Sequence, residues 1–77
     1  DVLGLDDQGR NAVFAECTFW KGPVGLNGLR SLEQKATRVP WHKGDRADWY
    51  VLFSIAGFTD ELRAEAASRE DLLLVEG

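Results

Sequence analysis

The sequence predicts an α/β fold: a β-hairpin followed by α, β, α and β, forming a mixed four-stranded sheet with helices packed on it. Three observations lead there. Two apolar runs, DVLGLD and NAVFAECTFW, are separated only by the polar stretch DQGR. From Leu26 to Val39 apolar residues recur at steps of three and four. Two further apolar runs, WYVLFSIAG and DLLLVE, flank a segment that carries a helix-start signal at Thr59.

The elements follow in order. Gly9 in DQGR suits the positive-φ position of a hairpin loop. The return strand NAVFAECTFW presents Phe14, Glu16 and Thr18 on one side and Val13, Ala15, Cys17 and Phe19 on the other. Both sides are largely apolar, the pattern of a strand covered by helices on both faces. KGPVG ends it. Leu26, Leu29, Leu32, Ala36 and Val39 then mark an amphipathic helix, with Pro40 placed to stop it. PWHKGDRAD reads as a polar loop, and WYVLFSIAG, apolar on both faces, as a central strand. Thr59 can cap the next helix, where Asp60 and Glu61 favour the N-terminal end of the dipole. That helix runs to about residue 69, and DLLLVE is the last strand. Right-handed crossovers make the last three strands parallel, with the first antiparallel at their side.

Composition bounds the function. A chain of 77 residues is one domain, and at that size folding buries only ~60% of the unfolded surface. Asp1 already stands inside an apolar run, so residues 1–77 are expected to be a piece of a longer protein. Hydrophobic content of 44% with 29% charged residues describes an ordinary soluble domain. The uncharged runs are too short to span a bilayer, and no signal-peptide pattern opens the chain. One cysteine and one histidine argue against a disulfide or a zinc site. A cytoplasmic setting with no membrane partner is the expectation.

Net charge is −4, which taken whole disfavours a nucleic-acid binder. The distribution is uneven. Residues 21–46 hold six basic residues, Lys21, Arg30, Lys35, Arg38, Lys43 and Arg46, against only Glu33 and Asp45. The bland reading is an ordinary solvated helix and loop. The functional one is a single basic face for phosphate or an acidic partner, with nucleic-acid contacts from Lys21, Arg30, Lys35, Arg38 and Lys43.

Glu16 raises the sharper question. A glutamate on a doubly covered strand is costly without a partner or a cation. The structural answer is that Glu16 lies near the strand's end, or pairs with Lys21 or Arg30. The chemical one needs a second carboxylate, and Asp1, at the start of the paired strand, falls opposite residues 15 to 17. Two carboxylates on adjacent strands with a strand carbonyl between them suit a hard divalent cation such as Mg²⁺.

An aspartate opening a hairpin, then Glu16-Cys17-Thr18 on the return strand, then an amphipathic helix and a central strand, resembles the restriction-endonuclease-like nuclease superfamily, whose signature is written PD…(D/E)-x-K. More narrowly, DVLGLDDQGRNAVFAECTFWKGPVG with YVLFSIAGFTDEL resembles the C-terminal domain of unknown function found after archaeal-type ATPase modules. The FSIAGFTDEL stretch carries most of that narrower likeness. The resemblance implies a restriction-endonuclease-like core fragment with an upstream ATPase domain as partner. It also implies a Mg²⁺ or Mn²⁺ site made by Asp1, Glu16 and the backbone carbonyl of Cys17, and a catalytic set of Asp1, Glu16 and the residue at position 18. There the sequence departs from the pattern: Thr18 stands where the lysine belongs. That lysine would hold the nucleophile and stabilise phosphorane charge, and threonine is neutral and shorter. Lys21 from the strand's end, or Lys35 from the helix but off its apolar stripe, could substitute. Glu33, nearer the edge of the stripe, could face the same pocket. A nuclease-like accessory domain that has lost catalysis is the leading expectation. A protein-interaction module on the same fold, and a working metal-dependent nuclease with a migrated lysine, are the alternatives.

Other candidates are weaker. KGPVGLNGLRS contains glycines but lacks the GK-[ST] of a phosphate loop, so no ATP site is expected in this chain. His42 reads as a solvated loop residue. Trp20, Trp41 and Trp49 could stack on bases, though packing is the commoner use and the one preferred for Trp49. Cys17 and Ser54 read as small core residues.

Overall fold

The computed structural model describes residues 2–6, 10–19 and 21–77. The strands and helices are β1 (Val2–Asp6), β2 (Asn11–Thr18), α1 (Leu26–Thr37), β3 (Ala47–Ser54), α2 (Asp60–Ala67) and β4 (Leu72–Glu76). The protein is a small α/β fold in which β2, β3 and β4 make a three-stranded parallel sheet with two helices. β2 and β3 pair from Asn11 with Ala47 to Thr18 with Ser54. β3 and β4 pair from Tyr50 with Leu72 to Ser54 with Glu76. β1 lies antiparallel to β2, with Asp6 opposite Asn11, and the strand order is β1-β2-β3-β4. Asp1 and Gly9 lie outside the described residues. No helix among the described residues is long and apolar enough to cross a membrane.

The expectation that β2 is covered on both faces is wrong. Each parallel crossover is right-handed by default, and here both step in the same direction across the sheet, from β2 to β3 and from β3 to β4. Both helices therefore lie on one face. Ala12, Phe14, Tyr50, Leu52 and Leu72 from that face form one buried cluster with Leu29, Leu32 and Ala36 of α1 and Leu62 of α2. The opposite face, which carries Cys17, Phe19, Trp49, Ile55 and Leu73, has no helix over it among the described residues. Cys17 is exposed and is not a core residue. Trp49 is also partly open, with its indole nitrogen donating to Asn11 Oδ1 at 2.9 Å.

Two loops at the carboxyl ends of the strands hold the helix starts together. Val24 N–H donates to the Gly57 carbonyl and Thr59 N–H to the Val24 carbonyl, each at 2.9 Å. Thr59 caps α2 by accepting from Leu62 N–H at 3.2 Å, with Asp60 and Glu61 in the first turn. The stretch FSIAGFTDEL thus has a local physical reason. Gly57 turns the chain at φ 87°, Phe58 is buried, and Thr59 starts the helix. α1 starts without a side-chain cap, from Gly25. Its Gly28 is dictated by close packing, since a Cβ there would stand 2.6 Å from Val24 Cγ1.

The far end of α1 is held by Arg46, whose side chain is only 3% exposed. Its guanidinium donates to the carbonyls of Ala36, Val39 and Trp41 at 2.7, 2.8 and 2.6 Å. It also pairs with Asp48 at 2.6 Å and lies over the Phe14 ring, 5.4 Å from the centroid. A second arginine, Arg69, pairs with Asp71, Glu33 and Glu65 at 2.8 to 3.1 Å. Its hydrogen bonds hold the Asp71 carboxyl below the usual carboxylate range.

Tyr50 is the sole tyrosine and is buried beneath Arg69. Burial, and then the charges of Asp48, Glu33 and Asp71, push its phenol up to about 12 from 10.0. The native fold thus favours the neutral phenol. Its contribution to stability is complete below the unfolded pKa and is lost as pH rises through the folded one. An absorbance titration of the native protein should show a phenolate midpoint near 12, moving to about 10 in denaturant. A native midpoint near 10 would mean that the ring is not packed as described.

Candidate functional site

Period-two alternation puts Glu16 and Thr18 on one face of β2, and that face is the one α1 covers. They border a pocket of about 530 Å³ lined by Glu16, Cys17, Thr18, Phe19, Ser31 and Lys35. Glu16 faces the partner that the sequence placed off the stripe. Lys35 Nζ donates to Glu16 Oε1 at 2.5 Å. The reason is reach: Lys35 lies one turn after Ser31 on the flank of α1 that borders β2, and its aliphatic stem spans the remaining gap. Neither Lys21 nor Arg30 pairs with Glu16. The acid is half-buried and carries its counter-charge with it, which removes most of the cost of placing it there.

Thr18 does not offer a free hydroxyl. Its Oγ1 donates to the Phe53 carbonyl on β3 at 3.2 Å, so the position where the resemblance expects a cation is neutral and already bonded. The next residue on this face across β3 is Ser54, which is buried with its Oγ unpartnered among the described residues.

Two sequence expectations fail at α1. Glu33 does not face this pocket. It lies on the opposite flank, paired with Arg30 at 2.8 Å and with Arg69 at 3.1 Å. The 21–46 segment does not form one basic face either. Arg30 and Lys35 leave the helix on different flanks, and each is neutralised by an acid. Arg46 is buried as a structural clamp. Lys21, Arg38 and Lys43 are exposed and form no ion pair among the described residues. Lys21 precedes α1, Arg38 ends it and Lys43 sits in the following turn, so they mark both ends of the helix. His42 is exposed in that turn at φ 45°, with its ring edge-on to Trp41.

The donor set for a metal is thin. No group of three His, Cys, Asp or Glu side chains that could hold a metal ion occurs among the described residues. Asp1 lies outside them. Among the described residues Glu16 is the one carboxylate lining the pocket, and its Oε1 is engaged by Lys35. A hard divalent cation takes six or more oxygens, and these residues alone do not fit it. Sequence reasoning named Glu16, Thr18 and Lys35 but missed Ser31. The i, i+4 pair Ser31 and Lys35 beside Gly28 was the available signal, a polar flank next to a close-packed helix contact. No protein-family model, curated protein or solved structure matches the chain.

Proposed function

We propose that the chain is a nuclease-like accessory domain, a cytoplasmic C-terminal module of an archaeal-type ATPase built on a restriction-endonuclease-like core fragment, in which cleavage has been lost. The Lys35–Glu16 ion pair carries this reading. A carboxylate that accepts from an ammonium at 2.5 Å has to break that bond before it can turn the same lone pair to a divalent ion. Thr18 adds no positive charge to replace the expected lysine. Loss of one transition-state electrostatic contact costs ~10²–10³ in rate, which suffices to silence a slow nuclease. What remains is a scaffold that positions the ATPase module on nucleic acid through Lys21, Arg38 and Lys43, or on a protein.

The same ion pair supports a second reading, a Mg²⁺- or Mn²⁺-dependent nuclease whose lysine has moved to α1. Lys35 brings an amine to the strand position where Thr18 supplies none. That reading needs Asp1 and the Cys17 carbonyl beside Glu16 to complete the metal's oxygens.

Plasmid nicking in Mg²⁺ or Mn²⁺ separates the two. The native protein is expected to cut neither DNA nor RNA, and Thr18→Lys is the variant expected to gain weak metal-dependent cutting. Titration calorimetry should show that Lys35→Ala binds Mn²⁺ more tightly than the native chain, because it frees Glu16. Robust native cleavage that disappears in both Glu16→Ala and Lys35→Ala would establish the second reading and overturn the first.

A further inference from the structure

The face of the sheet away from the helices is apolar and open along β2, β3 and β4, whose described residues on it carry no charge. Phe19 is 78% exposed, Ile55 60%, Leu73 59% and Trp49 38%. We propose that this face is a self-association surface, on which a second copy of the chain packs sheet to sheet across a two-fold axis. The inference rests on the fold and is independent of the nuclease reading.

The area is the first argument. At roughly 200 Å² for a large apolar side chain, those four leave about 500 Å² bare. That lies at the upper end of the patch sizes monomers expose. The half-buried Val13, Val51, Phe53 and Val75 add to it. Two copies face to face remove roughly 1,000 Å² or more, the level a specific interface has to clear.

Charge is the second argument. The chain carries −4, so a contact between two copies has to keep like charges apart. Along β2, β3 and β4 this face does so: none of their residues on it is charged, and a two-fold contact centred on those strands, away from Asp6 at the β1 edge, places apolar against apolar.

Shape is the third. A pocket of about 110 Å³ opens on the carboxyl-end part of this region, between Phe19, Phe53, Ile55 and Val75, and its lining surface is apolar. A recess of this order has room for a projecting hydrocarbon group. An isologous contact presents the same patch from both sides, so each copy offers projecting side chains and a recess to the other, with the sheets about 10 Å apart.

Sedimentation velocity on the full 77-residue chain from low micromolar to several hundred micromolar tests it. The expected result is a monomer–dimer equilibrium in which Leu73→Lys and Ile55→Lys each weaken dimerisation by about tenfold or more. Both side chains are exposed, so the substitutions leave the core cluster intact. Glu61→Lys, on the helix side, should leave the equilibrium unchanged. Cys17, the single cysteine, lies on the same face and gives a second readout on the native protein. Its alkylation should slow as protein concentration rises through the dimerisation range. A native chain that stays monomeric throughout, or alkylation that is independent of concentration, overturns the proposal. So does a dimer that Leu73→Lys and Ile55→Lys leave intact, since it would use another surface.

Discussion

Arg46→Ala is expected to cost about 3–5 kcal/mol of folding stability, the range seen when one partner of a buried ion pair is removed. Small domains begin near the low end of the usual 5–15 kcal/mol, so the variant should keep only about 0–2 kcal/mol of stability. One side chain does three jobs at one place. It supplies donors to the Val39 and Trp41 carbonyls in the turn after α1 and adds one at Ala36. It balances Asp48 at the start of β3, and it covers the Phe14 ring. Alanine leaves a carboxylate and two carbonyls without that partner in a partly buried site. Ala36 suffers less, because its carbonyl keeps the Val39 N–H at 3.2 Å. Urea unfolding followed by circular dichroism measures the loss. Arg46→Lys should recover less than half of it, because a single ammonium cannot reach three carbonyls and a carboxylate from one position. A cost below ~1 kcal/mol for the alanine variant, the scale of an exposed pair, would show that the guanidinium is solvated.

Phe14→Ala is the second large effect, expected at about 3–5 kcal/mol from lost burial and the cavity left behind. Phe14 stands midway along β2, stacked near Tyr50 at 6.1 Å between ring centroids and sealed above by Arg46. The two sites share a contact, so their effects should not add. A double-mutant cycle on the milder pair Phe14→Leu and Arg46→Lys should return a coupling of about 0.5–3 kcal/mol. Effects that add to within ~0.4 kcal/mol would mean that the arginine clamps the loop without using the ring.

Much of the candidate site is legible in the residues. Alternation along FAECTFW places Glu16 and Thr18 on the same face, and the helical steps from Leu26 to Ala36 show which stripe of α1 is buried. The partner of Glu16 was harder to read. Lys35 and Arg30 flank that stripe on either side, and Glu33 lies beside it. A helical wheel is symmetric with respect to the question that matters, which flank borders β2 and which borders α2. Handedness and strand order answer it. They send Lys35 to Glu16 and Glu33 to Arg69, with Arg30 paired to Glu33. Arg46 was counted with the solvated charges because it sits in a polar loop sequence, and only the fold brings the open carbonyls at the end of α1 over it.

By itself the sequence determined the order of the elements, the Thr59 cap and the parallel crossovers, because those follow from local backbone preference and from periodicity within one segment. It showed equally that the strands are apolar on both faces. What covers each face was decided only by the tertiary structure. β4 adds beside β3 on the side away from β2, so both right-handed crossovers turn the same way and both helices fall on the Phe14 face. Had β4 paired on the other side of β2, the second helix would cover Phe19 and Cys17. The residues within each strand would be the same in either case, because the choice of sheet edge is made between strands distant along the chain and leaves no mark on the alternation within any one of them.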